Sequence, residues 1–96
     1  MPRLRARVDT NQREIVEALR DAGCSVQPIH TLGKGIPDLL ISTPTRETLL
    51  IECKTAKGKF TPDQVEWFSR WRGRIEVIRD PAEIGRLFGA MREEVG

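Results

Sequence analysis

Gly35-Ile36-Pro37-Asp38-Leu39-Leu40-Ile41-Ser42, then Thr43-Pro44-Thr45-Arg46-Glu47, then Thr48-Leu49-Leu50-Ile51-Glu52-Cys53-Lys54 reads as a hairpin with charge in unusual places. Two short runs rich in Leu and Ile flank a polar, proline-bearing turn, the pattern of two paired strands. Asp38 heads the first run, and Glu52 and Lys54 close the second. Residues i and i+2 of a strand share a face. Glu52 and Lys54 therefore point one way with Leu50, and Leu49, Ile51 and Cys53 point the other. Antiparallel pairing lays the head of the first run against the tail of the second, so Asp38, Glu52 and Lys54 are expected to converge at one end of a small sheet.

Outward from the hairpin, the flanking segments read as helices and two further strands. Residues 9–22 carry an apolar stripe of Ile15, Ala18, Leu19 and Ala22 at helical spacing, with Asp9 and Gln12 as a capping pair, Asn11 and Glu14 as a second register, and Gly23 as the stop. Cys24 to His30 reads as a first strand, and Leu32-Gly33-Lys34-Gly35 as the loop into the hairpin. After the polar loop Thr55 to Phe60, Thr61-Pro62-Asp63-Gln64 has a capping threonine, a proline at the first helical position and a box-closing glutamine. That helix carries Val65, Phe68 and Trp71 as its buried stripe, with Trp67 on the flank, and ends at Gly73. Arg74 to Ile78 is a fourth strand. Asp80-Pro81-Ala82-Glu83 repeats the capping pattern and opens a last helix to about Glu94, with Ile84, Leu87, Phe88 and Met91 inward. The expected order is α-β-β-β-α-β-α. The helix between strands three and four is long enough for a crossover to a parallel neighbour.

At 96 residues the chain is expected to be one domain, residues 1–96, with a basic N-terminal arm over about 1–8. There is no apolar run near the ~18 residues that a membrane helix needs, and no signal-like apolar core follows the basic start. Cys24 and Cys53 lack CxxC spacing and are too few for a disulfide framework, which reads as reduced thiols and a cytoplasmic setting. A net charge of +2 does not by itself argue for nucleic acid, but its distribution is uneven. Arginines crowd the first twenty residues, Arg13 among them, and Lys54, Lys57 and Lys59 cluster just past the acidic pair. Basic clusters beside an acidic site suit a polyanion whose chemistry needs a metal.

Unpaired charge within a strand of Leu and Ile costs several kcal/mol to bury, so these groups need partners or a cleft. Two carboxylates brought together repel, and a hard divalent cation such as Mg²⁺ or Mn²⁺ removes that repulsion. The backbone carbonyl of Cys53 offers a third oxygen. Lys54, on the Glu52 face, can hold an attacking water or neutralise a phosphate oxygen. The set suits metal-assisted hydrolysis of a phosphodiester. The plainer reading is a Glu52–Lys54 pair at a strand end, with Asp38 as a turn residue after proline.

Pro37-Asp38 followed by Glu52-Cys53-Lys54 resembles the PD-(D/E)xK nuclease signature, and the element order resembles that superfamily's restriction-endonuclease-like α/β core. Further residues are similar to one branch, the VRR-NUC domains, as a small stand-alone member. These are a glutamate on the first helix (Glu14), Gly35-Ile36-Pro37-Asp38, Glu52-Cys53-Lys54, and Gly58-Lys59-Phe60-Thr61-Pro62-Asp63-Gln64, a glycine-bearing loop into a glutamine-bearing helix. The resemblance covers roughly residues 10–80. It implies that Asp38, Glu52 and the Cys53 carbonyl hold the metal and that Lys54 positions the nucleophile. It further implies that Glu14 reaches the site directly or through water, and that Gln64 lies near the metal or phosphate. On the residues alone, a glutamate at the edge of the stripe, as Glu14 is, is more often a charge at the helix rim than a ligand, and Gln64 is equally a capping residue. The resemblance also implies a DNA endonuclease acting on branched DNA such as four-way (Holliday) junctions in DNA repair. The cofactor would be Mg²⁺, with Mn²⁺ substituting, and the protein would work as a homodimer. Lys34, Lys57, Lys59 and Arg13 are the candidate DNA contacts. The competing function is a non-catalytic nucleic-acid-binding module on a nuclease fold. His30 reads as a surface residue or a DNA contact. Trp67, Phe68 and Trp71 read as core and interface, and Cys53 as a core thiol rather than a nucleophile.

Overall fold

The computed structural model of the chain describes residues 2–88, with side chains from Val8 onward. Its helix α1 spans Pro2–Asp21, strand β1 Ser25–Pro28, β2 Leu39–Ser42, β3 Thr48–Cys53, helix α2 Pro62–Arg70 and strand β4 Ile75–Ile78. A final helical segment opens as a 3₁₀ turn at Pro81–Gly85 and is α-helical over 86–88. The stretch of this helix expected to reach Glu94, Met91 included, lies outside the described residues.

The four strands form one mixed sheet in the order β1-β2-β3-β4. β1 and β3 flank β2 in antiparallel register, with Val26 opposite Ile41 and Leu39 opposite Ile51. β4 lies parallel to β3, Glu52 beside Val77, as the long α2 crossover requires. The alternation on β3 divides the molecule into layers. Leu49, Ile51 and Cys53 join Leu39, Ile41 and Ile78 in one core with Ile15, Val16 and Leu19 of α1, and Leu87, Ile84 and Phe88 close it. Leu40 and Leu50, paired across β2 and β3, face the opposite layer with α2.

Helix ends follow their local chemistry. Gly23 has φ +92°, its N–H donates to Arg20 O and that of Cys24 to Leu19 O, the paired bonds of a left-handed C-terminal cap. Thr61 and Gln64 make the reciprocal capping box of α2, and Asp80 and Glu83 make that of the final segment.

Three expectations need correction. α1 begins at Pro2, so Asp9 is an exposed interior position rather than its cap, and residues 2–8 continue the helix instead of forming a separate arm. Pro at the start costs no helical bond there. His30 lies in a 3₁₀ turn, His30–Leu32, after β1 has ended. The α2 stripe is not buried: no residue of the helix is, and Val65 and Trp71 are 58% and 47% exposed. Nine residues give α2 only two and a half turns, and the site-facing side of its first turn is given to polar contacts, so its aromatic side covers the sheet incompletely.

Candidate active site at the β2–β3 end

The β2–β3 register carries Asp38 to the tail of β3, where its Oδ2 accepts the backbone N–H of Cys53 at 2.9 Å. Pro37 before it is fully buried and anchors the turn. Glu52, on the face opposite the α1 core, is 2% exposed. Its Oε2 accepts from Gln64 Nε2 at 2.9 Å and lies 3.5 Å from Lys54 Nζ. Lys54 Nζ donates to Gln64 Oε1 at 2.7 Å and to Lys59 O at 3.0 Å, and sits 5.2 Å from the centre of the Phe60 ring.

Gln64 therefore has two tasks. Its Oε1 also accepts the Thr61 N–H at 3.0 Å, completing the capping box, while the same amide ties Glu52 to Lys54. The capping role is present, and the same side chain also contacts Glu52 and Lys54. Gly35 makes this possible. It has φ +82°, and a Cβ there would stand 2.3 Å from Asp63 O and 2.9 Å from Gln64 N. Only glycine lets the loop before Asp38 lie against the first turn of α2.

The electrostatics are those of carboxylates taken out of water without full compensation. Burial, then the neighbouring Asp38 charge, pushes the Glu52 carboxyl up to about 7, with Lys54 pulling the other way. Burial also raises Asp38, opposed by the Cys53 N–H and by the His30 and Lys54 charges. Glu52 Oε1 is buried with no hydrogen-bond partner among the described residues. An orphaned carboxylate oxygen beside a second carboxylate fits a divalent cation. Among the described residues no group of three or more His, Cys, Asp and Glu side chains is placed to hold one. A cation here would rest on Asp38 and Glu52, with backbone, solvent and phosphate oxygens completing the shell, as suits Mg²⁺. Burial and the two carboxylates push the Cys53 thiol far up, which leaves it protonated and consistent with a packing role.

Among the described residues no direct hydrogen bond or ion pair joins Glu14 to Asp38, Glu52 or Lys54. Glu14 is exposed and lines a cavity with Thr10, Asn11, Thr55, Ala56, Arg79 and Asp80. On α1 the residues that approach the hairpin end are Asn11, whose Nδ2 donates to Lys54 O at 2.8 Å, and Gln12, which pairs with His30 Nδ1 at 3.1 Å. His30 itself is exposed. Asn11 had a sequence signal, since it lies one helical turn before the buried Ile15 on the same stripe. Arg79 also contacts the segment after Lys54, and an arginine at a strand end gives no such signal. Among the expected DNA contacts, Lys34, Lys57 and Lys59 are exposed, on the loops that precede Asp38 and follow Lys54 in the chain. Arg13 is exposed on α1 beside a cavity that includes His30.

The family described as "VRR-NUC domain" matches residues 6–79. A solved structure titled "VRR_NUC domain" is 23% identical with a TM-score of 0.70, the match covering 85% of this chain and 94% of that one. At that identity the likeness is one of fold. No curated protein matches the chain. No described helix is long and apolar enough to cross a membrane.

Proposed function

The chain belongs to the VRR-NUC domain family, a nuclease family, and from that premise we propose that it is a metal-dependent DNA endonuclease whose site is Asp38, Glu52, Lys54 and Gln64. The observation that carries this reading is Glu52: a fully buried carboxylate with one oxygen unpartnered among the described residues, held beside Asp38 and bridged by Gln64 to Lys54. A purely structural Glu–Lys pair has no use for a second carboxylate that raises its charging cost.

Asp38, Glu52 and the Cys53 carbonyl would hold Mg²⁺ or Mn²⁺. When bound, such an ion supplies Lewis-acid stabilisation of the scissile phosphate. The hydrogen bond from Cys53 N–H orients the Asp38 carboxylate. Gln64 holds Glu52 and Lys54 in one arrangement before substrate arrives, so little is reorganised during reaction. Lys54 Nζ is 2.7 Å from a neutral amide oxygen and 3.0 Å from a carbonyl, contacts it can exchange for a phosphate oxygen or an attacking water. Water attacks phosphorus and gives up a proton to solvent, the P–O bond to one deoxyribose oxygen breaks and that oxygen takes a proton from solvent, while Lys54 offsets the charge on the phosphate oxygens. Lys34, Lys57 and Lys59 are proposed to meet the flanking phosphates.

The proposed substrate is branched DNA such as a four-way junction, cut by a two-fold homodimer carrying one site per chain. The exposed apolar side of α2 offers a surface for that pairing. The proposed role is in DNA repair, in the cytoplasm or wherever the DNA is housed.

The test is cleavage of labelled four-way junction, flap, nicked and linear DNA with Mg²⁺, Mn²⁺ or chelator. Divalent-dependent cutting of the junction ahead of linear duplex is expected. Lys54→Ala and Asp38→Ala should each lower cleavage at least ~10³-fold while leaving the fold and DNA binding in place. Wild-type cutting by Lys54→Ala would refute the mechanism.

A further inference from the structure

The segment that follows Lys54 is held from outside the site. Arg79, just past β4, sends its Nη1 to the carbonyl oxygens of Thr55 at 2.8 Å, Ala56 at 3.3 Å and Gly58 at 2.9 Å. Lys54 itself is tied at both backbone ends: its N–H donates to Ile78 O at 3.1 Å, and its carbonyl accepts Asn11 Nδ2 at 2.8 Å. Gly58 N–H closes the turn onto Thr55 O at 3.0 Å. The chain then passes to Lys59, whose carbonyl accepts from Lys54 Nζ at 3.0 Å. It thus leaves Lys54, wraps around one guanidinium nitrogen, and returns to hold the Lys54 ammonium.

Arg79 is half-buried and belongs to none of the ion pairs among the described residues. Its charge is answered by carbonyl dipoles rather than by a carboxylate. Carbonyls gathered at one point repel, and the cation removes that repulsion in the turn as a metal would elsewhere. The same turn carries Lys57, and Lys59 follows it directly.

We propose that Arg79 is a positioning residue for Lys54: it acts through the Thr55–Gly58 turn to set the Lys59 carbonyl against the Lys54 ammonium, without touching substrate. This rests on the nuclease reading, in which Lys54 acts at the phosphate. Misplacing such a group by about 1 Å is enough to cost roughly 10²-fold in rate.

The test combines steady-state junction cleavage with amide hydrogen exchange on the full chain. Arg79→Ala should lower kcat at least ~10-fold with KM changed less than about threefold, since the loss falls on the reacting geometry. Its Gly58 amide should exchange at least ~10-fold faster than in the wild type. Guanidinium at low millimolar concentration, far below denaturing levels, should restore part of kcat in Arg79→Ala and none in Lys54→Ala. Arg79→Lys should fall between, because an ammonium is a compact donor without the planar reach of guanidinium. If Arg79→Ala does not fold, Arg79→Lys and Asn11→Ala carry the same kcat-against-KM comparison. A folded Arg79→Ala protein with kcat within about twofold of wild type overturns the proposal, as does a loss that vanishes after correction for unfolded protein. A wild type that cuts no DNA overturns the nuclease reading and the positioning role with it, whereas the exchange rates judge the turn's tether on their own.

Discussion

Glu52 links the chemistry of the site to the stability of the chain. Its carboxyl is pushed from its ordinary value of 4.5 up to about 7, first by burial and then by Asp38. A carboxyl raised in the folded state binds its proton more tightly there than in the unfolded chain. The metal-free protein is then favoured below about pH 4.5 and loses that advantage as pH rises to about 7. Asp38, raised in the same direction, adds to the effect. Thermal unfolding in chelator should therefore show a Tm that falls over this window. Glu52→Gln should flatten the slope, because the amide has no charge to bury. Mg²⁺ should raise the Tm more toward the upper end of the window, as the Glu52 carboxyl loses its proton, and should do little for Glu52→Gln. A wild-type Tm that climbs steadily from pH 5 to 7 without metal would contradict the reading of this carboxylate. The pairing of Glu52 with Lys54 was legible from their spacing on a strand; the depth of Glu52 was not, because burial depends on α2, which arrives from later in the chain.

Between β3 and α2 the decisive contacts belong to two short pieces of backbone. Gly35 lies so close to Asp63 O that any Cβ must displace the first turn of α2, and its φ of +82° is strained for other residues. Gly35→Ala should destabilise the protein by about 1–3 kcal/mol in urea unfolding. It should also reduce cleavage by more than that loss explains, because the displaced turn carries Gln64. The two tasks of Gln64 can be separated. Thr61→Ala removes the cap and should cost about 1 kcal/mol with cleavage nearly preserved. Gln64→Leu removes the cap's return bond and the Glu52–Lys54 bridge together, and should lower kcat well beyond Thr61→Ala. Equal activities for the two variants would assign Gln64 to capping alone. The capping box was readable as Thr61-Pro62-Asp63-Gln64, since it is a local backbone event. That the same amide reaches Glu52 and Lys54 is a matter of where the helix docks.

For the whole molecule, the sheet has one face closed by α1 and the final segment and the other only partly closed by α2. A cavity of about 320 Å³ opens there, lined by Ile29, Ile36, Leu40, Leu50, Trp67 and Trp71. Trp67 and Trp71 stack with ring centres 4.9 Å apart, and Trp71 is half-exposed. Aromatic surface of this kind costs least when a second copy covers it. In solution the protein should have a mass near that of two 10.9-kDa chains. Trp71→Glu should shift it toward one chain and lower junction cleavage more than binding, with a monodisperse wild-type monomer as the contrary result.

The amino-acid sequence by itself determined the strand-helix order, the capping boxes at Thr61 and Asp80, the Gly23 stop and the convergence of Asp38, Glu52 and Lys54. These follow from periodicity, turn chemistry and antiparallel register, all of which act between residues near in the chain. The tertiary structure alone decided that Asn11 reaches the Lys54 carbonyl, because which side chain of a helix meets a strand end is set by where that helix docks on the sheet. It likewise decided that α2 leaves its apolar stripe exposed and that Arg79 gathers the carbonyls after Lys54. Those contacts join segments far apart in the chain, and their geometry is set by how the helices pack on the sheet rather than by any local preference of the residues involved.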